Sequence, residues 1–198
     1  MNFDKKYNMI GTICKSPNLD FIKKLKESMK DKCKVYVEIG VLYGGSMILM
    51  MDMPYECKHI GIDPFTGYYG QGYDPHRSIS LCQNHFEIVG ENLKNNNPMK
   101  QKWELVRGNS NEVFDKITDT IDFLFIDGDH TYQGVKDDYN NYGCKVREGG
   151  YIVFDNYDDP SWYQVKQAVD ELYDDKQYFK TVYGHCCVFE VLGKGSSQ

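Results

Sequence analysis

The sequence predicts a doubly wound α/β fold: a mostly parallel, seven-stranded, Rossmann-like sheet with helices on both faces and an antiparallel hairpin at its C-terminal end. Three observations predict it. Five short apolar runs recur along the chain: VYVEI (35–39), HIGI (59–62), WELV (103–106), IDFLFI (121–126) and YIVF (151–154). Continuous runs rich in Val, Ile and Phe suit strands buried on both faces of a parallel sheet. Between them lie polar or helical segments, the alternation expected of right-handed βαβ units. The last two runs, YFKTVYG (178–184) and CVFEVL (187–192), are joined through Gly184 and His185, a link short enough only for an antiparallel pair.

The helices follow from spacing. Over residues 17–32, Ile22, Leu25 and Met29 recur at helical intervals among Lys23, Lys24 and Lys26, which predicts an amphipathic helix with a basic, solvated outer face. Residues 1–34 then form an N-terminal helical cap segment. SNEVFDKI and TYQGVKDDY read as helices after the third and fourth runs, and Val165, Ala168, Val169, Leu172 and Tyr173 share one stripe over 165–173. PFTGYYGQGYDPH (64–76) has Gly and Pro punctuation and no period, so it reads as a loop able to cover a site. GKGSSQ (193–198) reads as a flexible tail. With no internal repeat, the 198 residues are read as a single domain, 1–198.

Composition narrows the function. A formal net charge of −6 opposes a protein that works by neutralising phosphates, so nucleic acid is not the expected partner and small-molecule chemistry is favoured. Seven cysteines without a C-x-x-C pair read as reduced, buried thiols. MNFDKKYN carries no apolar leader, and no segment has the length to span a bilayer, so a cytoplasmic location without a membrane partner is expected. A homo-oligomer is compatible with all of this.

Ligands of open α/β sheets bind beyond the carboxyl ends of the strands, where strand order reverses. After the first run comes Glu38-Ile39-Gly40-Val41-Leu42-Tyr43-Gly44-Gly45-Ser46. Its glycines let the backbone turn tightly and approach a ligand, and they lead to a helix start whose free N–H groups suit a carboxylate. The second run ends in Asp63, a carboxylate able to accept from two ribose hydroxyls. G-x-x-x-G-G lacks the G-x-G-x-x-G that a pyrophosphate requires, so a ligand with a ribose and no phosphate fits better. Each glycine taken singly is also an ordinary turn residue.

These motifs, with GNS (108–110) and FIDGDH (125–130), resemble class I S-adenosylmethionine-dependent O-methyltransferases over residues 35–156. The hairpin after a parallel sheet agrees with that fold, whereas dinucleotide-binding domains continue in parallel. The resemblance implies a donor site of Glu38, Gly40, Tyr43, Gly44, Ser46, Asp63, Gly108, Asn109, Ser110 and Asp127. In it the Gly40 carbonyl would accept the methionine amino group, Ser46 would bind its carboxylate, Asp63 would hold the ribose, and Gly108, Asn109 and Ser110 would border the adenine. Asn109 is equally well placed to cap the helix that follows.

A second constellation supplies chemistry. Asp127-Gly128-Asp129-His130 follows IDFLFI and Asp155-Asn156 follows YIVF. Strands that are sheet neighbours would bring Asp127, Asp155 and Asn156 to one point, a hard-oxygen donor set suited to Mg²⁺. A cation that binds a hydroxyl lowers its pKa and orients it toward a methyl sulfonium. The set resembles the metal-dependent branch that includes catechol O-methyltransferase and the enzymes acting on sugars and macrolide glycosides. Two bases are available. His130 titrates near neutrality and lies where family members carry a lysine or histidine base, and Asp129 lies where some sugar-modifying relatives use an aspartate. Against these stands the plainer role of Asp and His at strand ends, capping the next helix. Tyr68, Tyr69, Tyr73 and Trp162 are candidate aromatic walls and His76 a candidate substrate contact.

The expected function is therefore S-adenosylmethionine-dependent, Mg²⁺-assisted methyl transfer to a hydroxyl of a small molecule or glycan. An NAD-dependent oxidoreductase is opposed by the missing pyrophosphate fingerprint. A non-methylating, metal-dependent or S-adenosylmethionine-binding relative of the same fold is the other alternative.

Overall fold

The structure, a computed structural model, describes residues 17–66 and 84–193. All seven strands join one sheet: β1 (Val35–Ile39), β2 (Lys58–Asp63), β3 (Lys102–Arg107), β4 (Ile121–Ile126), β5 (Val146–Phe154), β6 (Tyr178–Tyr183) and β7 (Cys186–Val191). Their order is β3-β2-β1-β4-β5-β7-β6, with β1 to β5 parallel and β7 antiparallel to both β5 and β6. The hairpin turns at Gly184-His185 as the sequence predicts. Order reverses between β1 and β4, which places the switch point at Gly40 and Asp127.

Helices α1 (Pro17–Met29), α2 (Gly45–Met51) and α3 (His85–Asn95) belong to one face. α4 (Ser110–Val113), α5 (Tyr132–Tyr142) and α6 (Tyr163–Leu172) cover the other. Every residue of β4 is buried, because its two faces feed two separate apolar layers: Leu124 and Ile126 in one, Phe123 and Phe125 in the other. Burying each such side chain stabilises the fold by about 1.5–3 kcal/mol. The one charge in that strand, Asp122, accepts the N–H groups of Lys34 (2.7 Å) and Val35 (2.8 Å) and the Arg147 guanidinium. A buried carboxylate so satisfied ties the start of β1 to β4 and β5.

One expectation is overturned. Lys26 does not lie on a solvated face: it is 0% exposed, donates to the Met50 carbonyl at 2.9 Å, and stands over the rings of Tyr36 and Tyr55. Spacing alone misplaced it because i, i+4 from Ile22 puts position 26 on the inward stripe, where a carbonyl and two ring faces can replace water around an ammonium. Of the described cysteines, Cys33, Cys57, Cys186 and Cys187 are buried thiols as expected, while Cys144 is exposed. Among the described residues no helix is long and apolar enough to cross a membrane. The N-terminal sixteen residues, 67–83 with Tyr68, Tyr69, Tyr73 and His76, and 194–198 lie outside the described residues.

Candidate active site

The parallel ladders carry the site residues to one edge of the sheet. Ile39 pairs with Ile62 and Ile126, and Ile126 with Phe154, so Gly40, Asp127 and Asp155 leave their strands beside Asp63, the last residue of β2. Backbone bonds continue past the strands from Gly40 N–H to Ile62 O (2.9 Å), Asp127 N–H to Ile39 O (2.9 Å) and Asp155 N–H to Ile126 O (3.1 Å).

Gly40 has φ +87°, and a Cβ there would lie 2.0 Å from the Asp127 carbonyl oxygen. Only glycine fits, so the glycine turn and the acidic turn touch through backbone. Gly44, φ +82°, caps α2. Glu38, fully buried, accepts the hydroxyls of Tyr36 (2.6 Å) and Ser46 (2.5 Å). Burial pushes its carboxyl up to about 8 against the opposing pull of those two bonds. The Ser46 hydroxyl hydrogen is thus turned toward Glu38. Tyr43 sets its ring edge-on to His85 at 5.7 Å, and its carbonyl accepts from Asn92.

Asp63 is 2% exposed. Its Oδ2 accepts the N–H groups of Val41 (2.9 Å) and Leu42 (3.3 Å), and its Oδ1 that of Phe65 (2.6 Å). The residue expected to hold a ribose therefore first holds the glycine loop. It leaves one lone-pair direction on Oδ1 for a ligand, one fewer than acceptance from two ribose hydroxyls requires. Beside it, Phe65, His85 and Phe86 form an edge-to-face cluster, and Arg107 lies over Phe86 at 4.6 Å. Their scatter along the chain hid this cluster.

Gly108-Asn109-Ser110 follows β3 as expected, and Asn109 does cap α4, accepting from Asn111 N–H at 3.4 Å. Two α5 residues fix Ser110. Tyr142 donates to its carbonyl at 2.8 Å, and its hydroxyl bonds Asp138. Asp138 is 2% exposed, burial pushes it up to about 7, and its Oδ2 has no partner. Nothing in the sequence singled it out.

On the other side of Gly40 sit the acids. His130 Nε2 is 3.2 Å from Asp127 Oδ1, and the Trp162 ring lies against the imidazole at 4.8 Å. Burial, with the Asp155 charge adding to it, pushes Asp127 up to about 6 against the pull of His130. Burial opposes the imidazolium, yet the bond to Asp127 and the charges of Asp127, Asp155 and Asp129 outweigh it and raise His130. Asp129 is placed differently: its two oxygens accept the Thr131 N–H (3.0 Å) and hydroxyl (3.1 Å), and Thr131 rather than His130 caps α5. Asn156, φ +57°, follows Asp155 in a turn. Among the described residues no three His, Cys, Asp or Glu side chains are grouped to share a cation. The pair brought together is two carboxylates, Asp127 and Asp155, while the Asn156 side chain bonds Asp159. Neither carboxylate forms a salt bridge with a lysine or arginine among the described residues.

Residues 37–157 match the family described as methyltransferase domain. The chain is 40% identical over 164 residues to the uncharacterized protein R132 of Acanthamoeba polyphaga mimivirus, covering 80% of this chain and 66% of that one. It thus spans 66% of that relative's length. Among solved structures it is similar to the O-methyltransferase NovP, with a TM-score of 0.71, 24% identity, and 89% of this chain and 80% of NovP covered. It is also similar to the O-methyltransferase from Bacillus cereus in complex with SAH, with a TM-score of 0.60, 16% identity, and 91% and 84% covered.

Proposed function

This chain belongs to the methyltransferase domain family, and on that premise we propose that it moves the methyl group of S-adenosylmethionine to a hydroxyl oxygen of a small molecule or glycan. The observation that carries the reading is the backbone contact between Gly40 and Asp127. It joins the glycine loop to the Asp127 turn, which supports a single site in which a methyl sulfonium over the first would lie beside an oxygen over the second. Two structural neighbours, NovP and the Bacillus cereus protein, are O-methyltransferases, and the latter was captured with SAH.

Asp127, Asp155 and Asn156 fit a hard divalent cation such as Mg²⁺. Their donors are all oxygen, and two carboxylates at neighbouring strand ends with no lysine or arginine partner among the described residues carry charge that a cation would offset. When bound, such an ion would lower the pKa of the acceptor hydroxyl and orient it. The chain's own residues do the rest. With Nε2–H given to Asp127, His130 has its lone pair on Nδ1, which takes the hydroxyl proton. Trp162 restrains the ring. The oxygen forms the new C–O bond as the C–S bond breaks, the sulfur leaves as a neutral thioether, and the proton stays on His130. Asp129, occupied by Thr131, serves the loop rather than the transfer.

The test is calorimetry with S-adenosylhomocysteine, followed by label transfer from S-adenosylmethionine to sugars and catechols with Mg²⁺ or EDTA. Absence of S-adenosylhomocysteine binding refutes the donor reading. Transfer indifferent to EDTA removes the metal and leaves the methyl transfer standing. Asp155→Ala should abolish transfer while cofactor affinity changes less than about twofold.

A further inference from the structure

Asp155 is met by two residues that belong to none of the motifs. Cys186, the first residue of β7 and fully buried, has its Sγ 3.2 Å from Asp155 Oδ1. Asn18, in the first turn of α1, has its Nδ2 3.5 Å from the same oxygen, while its own Oδ1 accepts the His185 N–H at 3.3 Å. The approach of that turn is built for Asn18: Gly184 has φ +56°, and a Cβ there would stand 2.4 Å from the Asn18 Oδ1. Further along α1, Phe21 stacks on Tyr183 with ring centroids 4.5 Å apart. The start of α1, the β6–β7 turn and Asp155 are therefore one packed unit. Among the described residues no hydrogen bond engages Asp155 Oδ2.

We propose that Cys186 and Asn18 are positioning residues for Asp155: both donate to Oδ1, fixing the carboxylate so that Oδ2 remains as the oxygen that ligates a divalent cation. The inference rests on the metal reading above and deepens it. A carboxylate hung from a single Cα rotates freely about two torsions. Two donors on one oxygen select a single orientation before the ion arrives, and outer partners of this kind change metal affinity by about 10–100-fold. The shorter contact, from the thiol, carries the larger share, and the amide links the site to the helix that precedes β1.

The experiment titrates Mn²⁺ into the full chain and follows free Mn²⁺ by electron paramagnetic resonance, with S-adenosylhomocysteine affinity and the thermal midpoint measured on the same samples. Cys186→Ala should weaken Mn²⁺ about tenfold, with S-adenosylhomocysteine affinity unchanged. Cys186→Ser, which keeps a donor, should recover most of the loss. Asn18→Ala, which removes the longer contact, should weaken Mn²⁺ by a smaller factor. If both alanine variants bind Mn²⁺ like the parent, or serine fails to recover what alanine loses, the positioning role is overturned and the metal site stands. If the parent itself takes up no Mn²⁺, the metal reading falls and the inference with it.

Discussion

Replacing Gly40 by alanine tests the contact on which the two-part site depends. The new Cβ would lie 2.0 Å from the Asp127 carbonyl oxygen, 2.6 Å from its carbonyl carbon and 2.9 Å from Gly128 Cα. Unstrained approach of a carbon is about 3.5 Å, so roughly 1.5 Å of separation must be found. Every obstructing atom is backbone, held by the Asp127 N–H to Ile39 O bond, so no rotamer change relieves it. Overpacking of this kind costs about 1–3 kcal/mol, and a non-glycine residue at φ +87° adds about 1–2 kcal/mol. For a chain of this size, where each kcal/mol moves the midpoint by about 2–4 °C, the expected fall is about 4–20 °C. S-adenosylhomocysteine affinity should drop at least tenfold, about 1.4 kcal/mol, because the Asp127 turn moves with the loop. Gly44→Ala is the control: the nearest described atoms to its Cβ are in the side chains of Leu93 (3.2 Å) and Val89 (3.4 Å). Its loss should stay near the φ cost alone. Differential scanning calorimetry and isothermal titration on both variants decide the matter. A Gly40→Ala protein melting within about 2 °C of the parent, or no worse than Gly44→Ala, would mean that the two turns are not in obligatory backbone contact.

Three other outcomes follow from the geometry. Glu38 and Asp138 hold their protons up to about 8 and about 7, above their ordinary values of 4.5 and 3.8. The folded state then binds more protons than the unfolded one, so stability contributed by the neutral acids is full below pH 4 and declines as pH rises toward 8; Glu38→Gln and Asp138→Asn should each melt with a shallower pH dependence than the parent, and an unchanged slope contradicts the assignment. Asp63→Asn leaves one acceptor oxygen for the Val41, Leu42 and Phe65 N–H groups. Thermal melts should show a loss of about 1.5–3 kcal/mol together with weaker S-adenosylhomocysteine binding, whereas a change in binding alone would mean that Asp63 acts only on the ligand. Trp162→Ala frees the His130 ring and should lower the transfer rate about tenfold at unchanged cofactor affinity, with Trp162→Phe retaining most activity; equal rates for both would detach Trp162 from the base.

The sheet is legible in the chain's local pattern, because a strand buried on both faces is written as a run such as IDFLFI, and a tight turn as glycines in a fixed frame. The glycine loop and both acidic turns are legible there as well, since residues that leave parallel strands at one edge are brought together by register alone. Tertiary structure decided what each side chain then does. Lys26 is buried because Met50, Tyr36 and Tyr55 converge on it from other elements. Asp63 is committed to loop N–H groups and Ser46 to Glu38, while Asp129 serves Thr131 and His130 serves Asp127. Cys186 and Asn18 reach Asp155 from the two ends of the chain, 31 and 137 residues away. Periodicity records which face a residue takes within its own element. Which hydrogen-bond partner waits on that face depends on strand order and helix docking, and those exist only once the sheet is assembled.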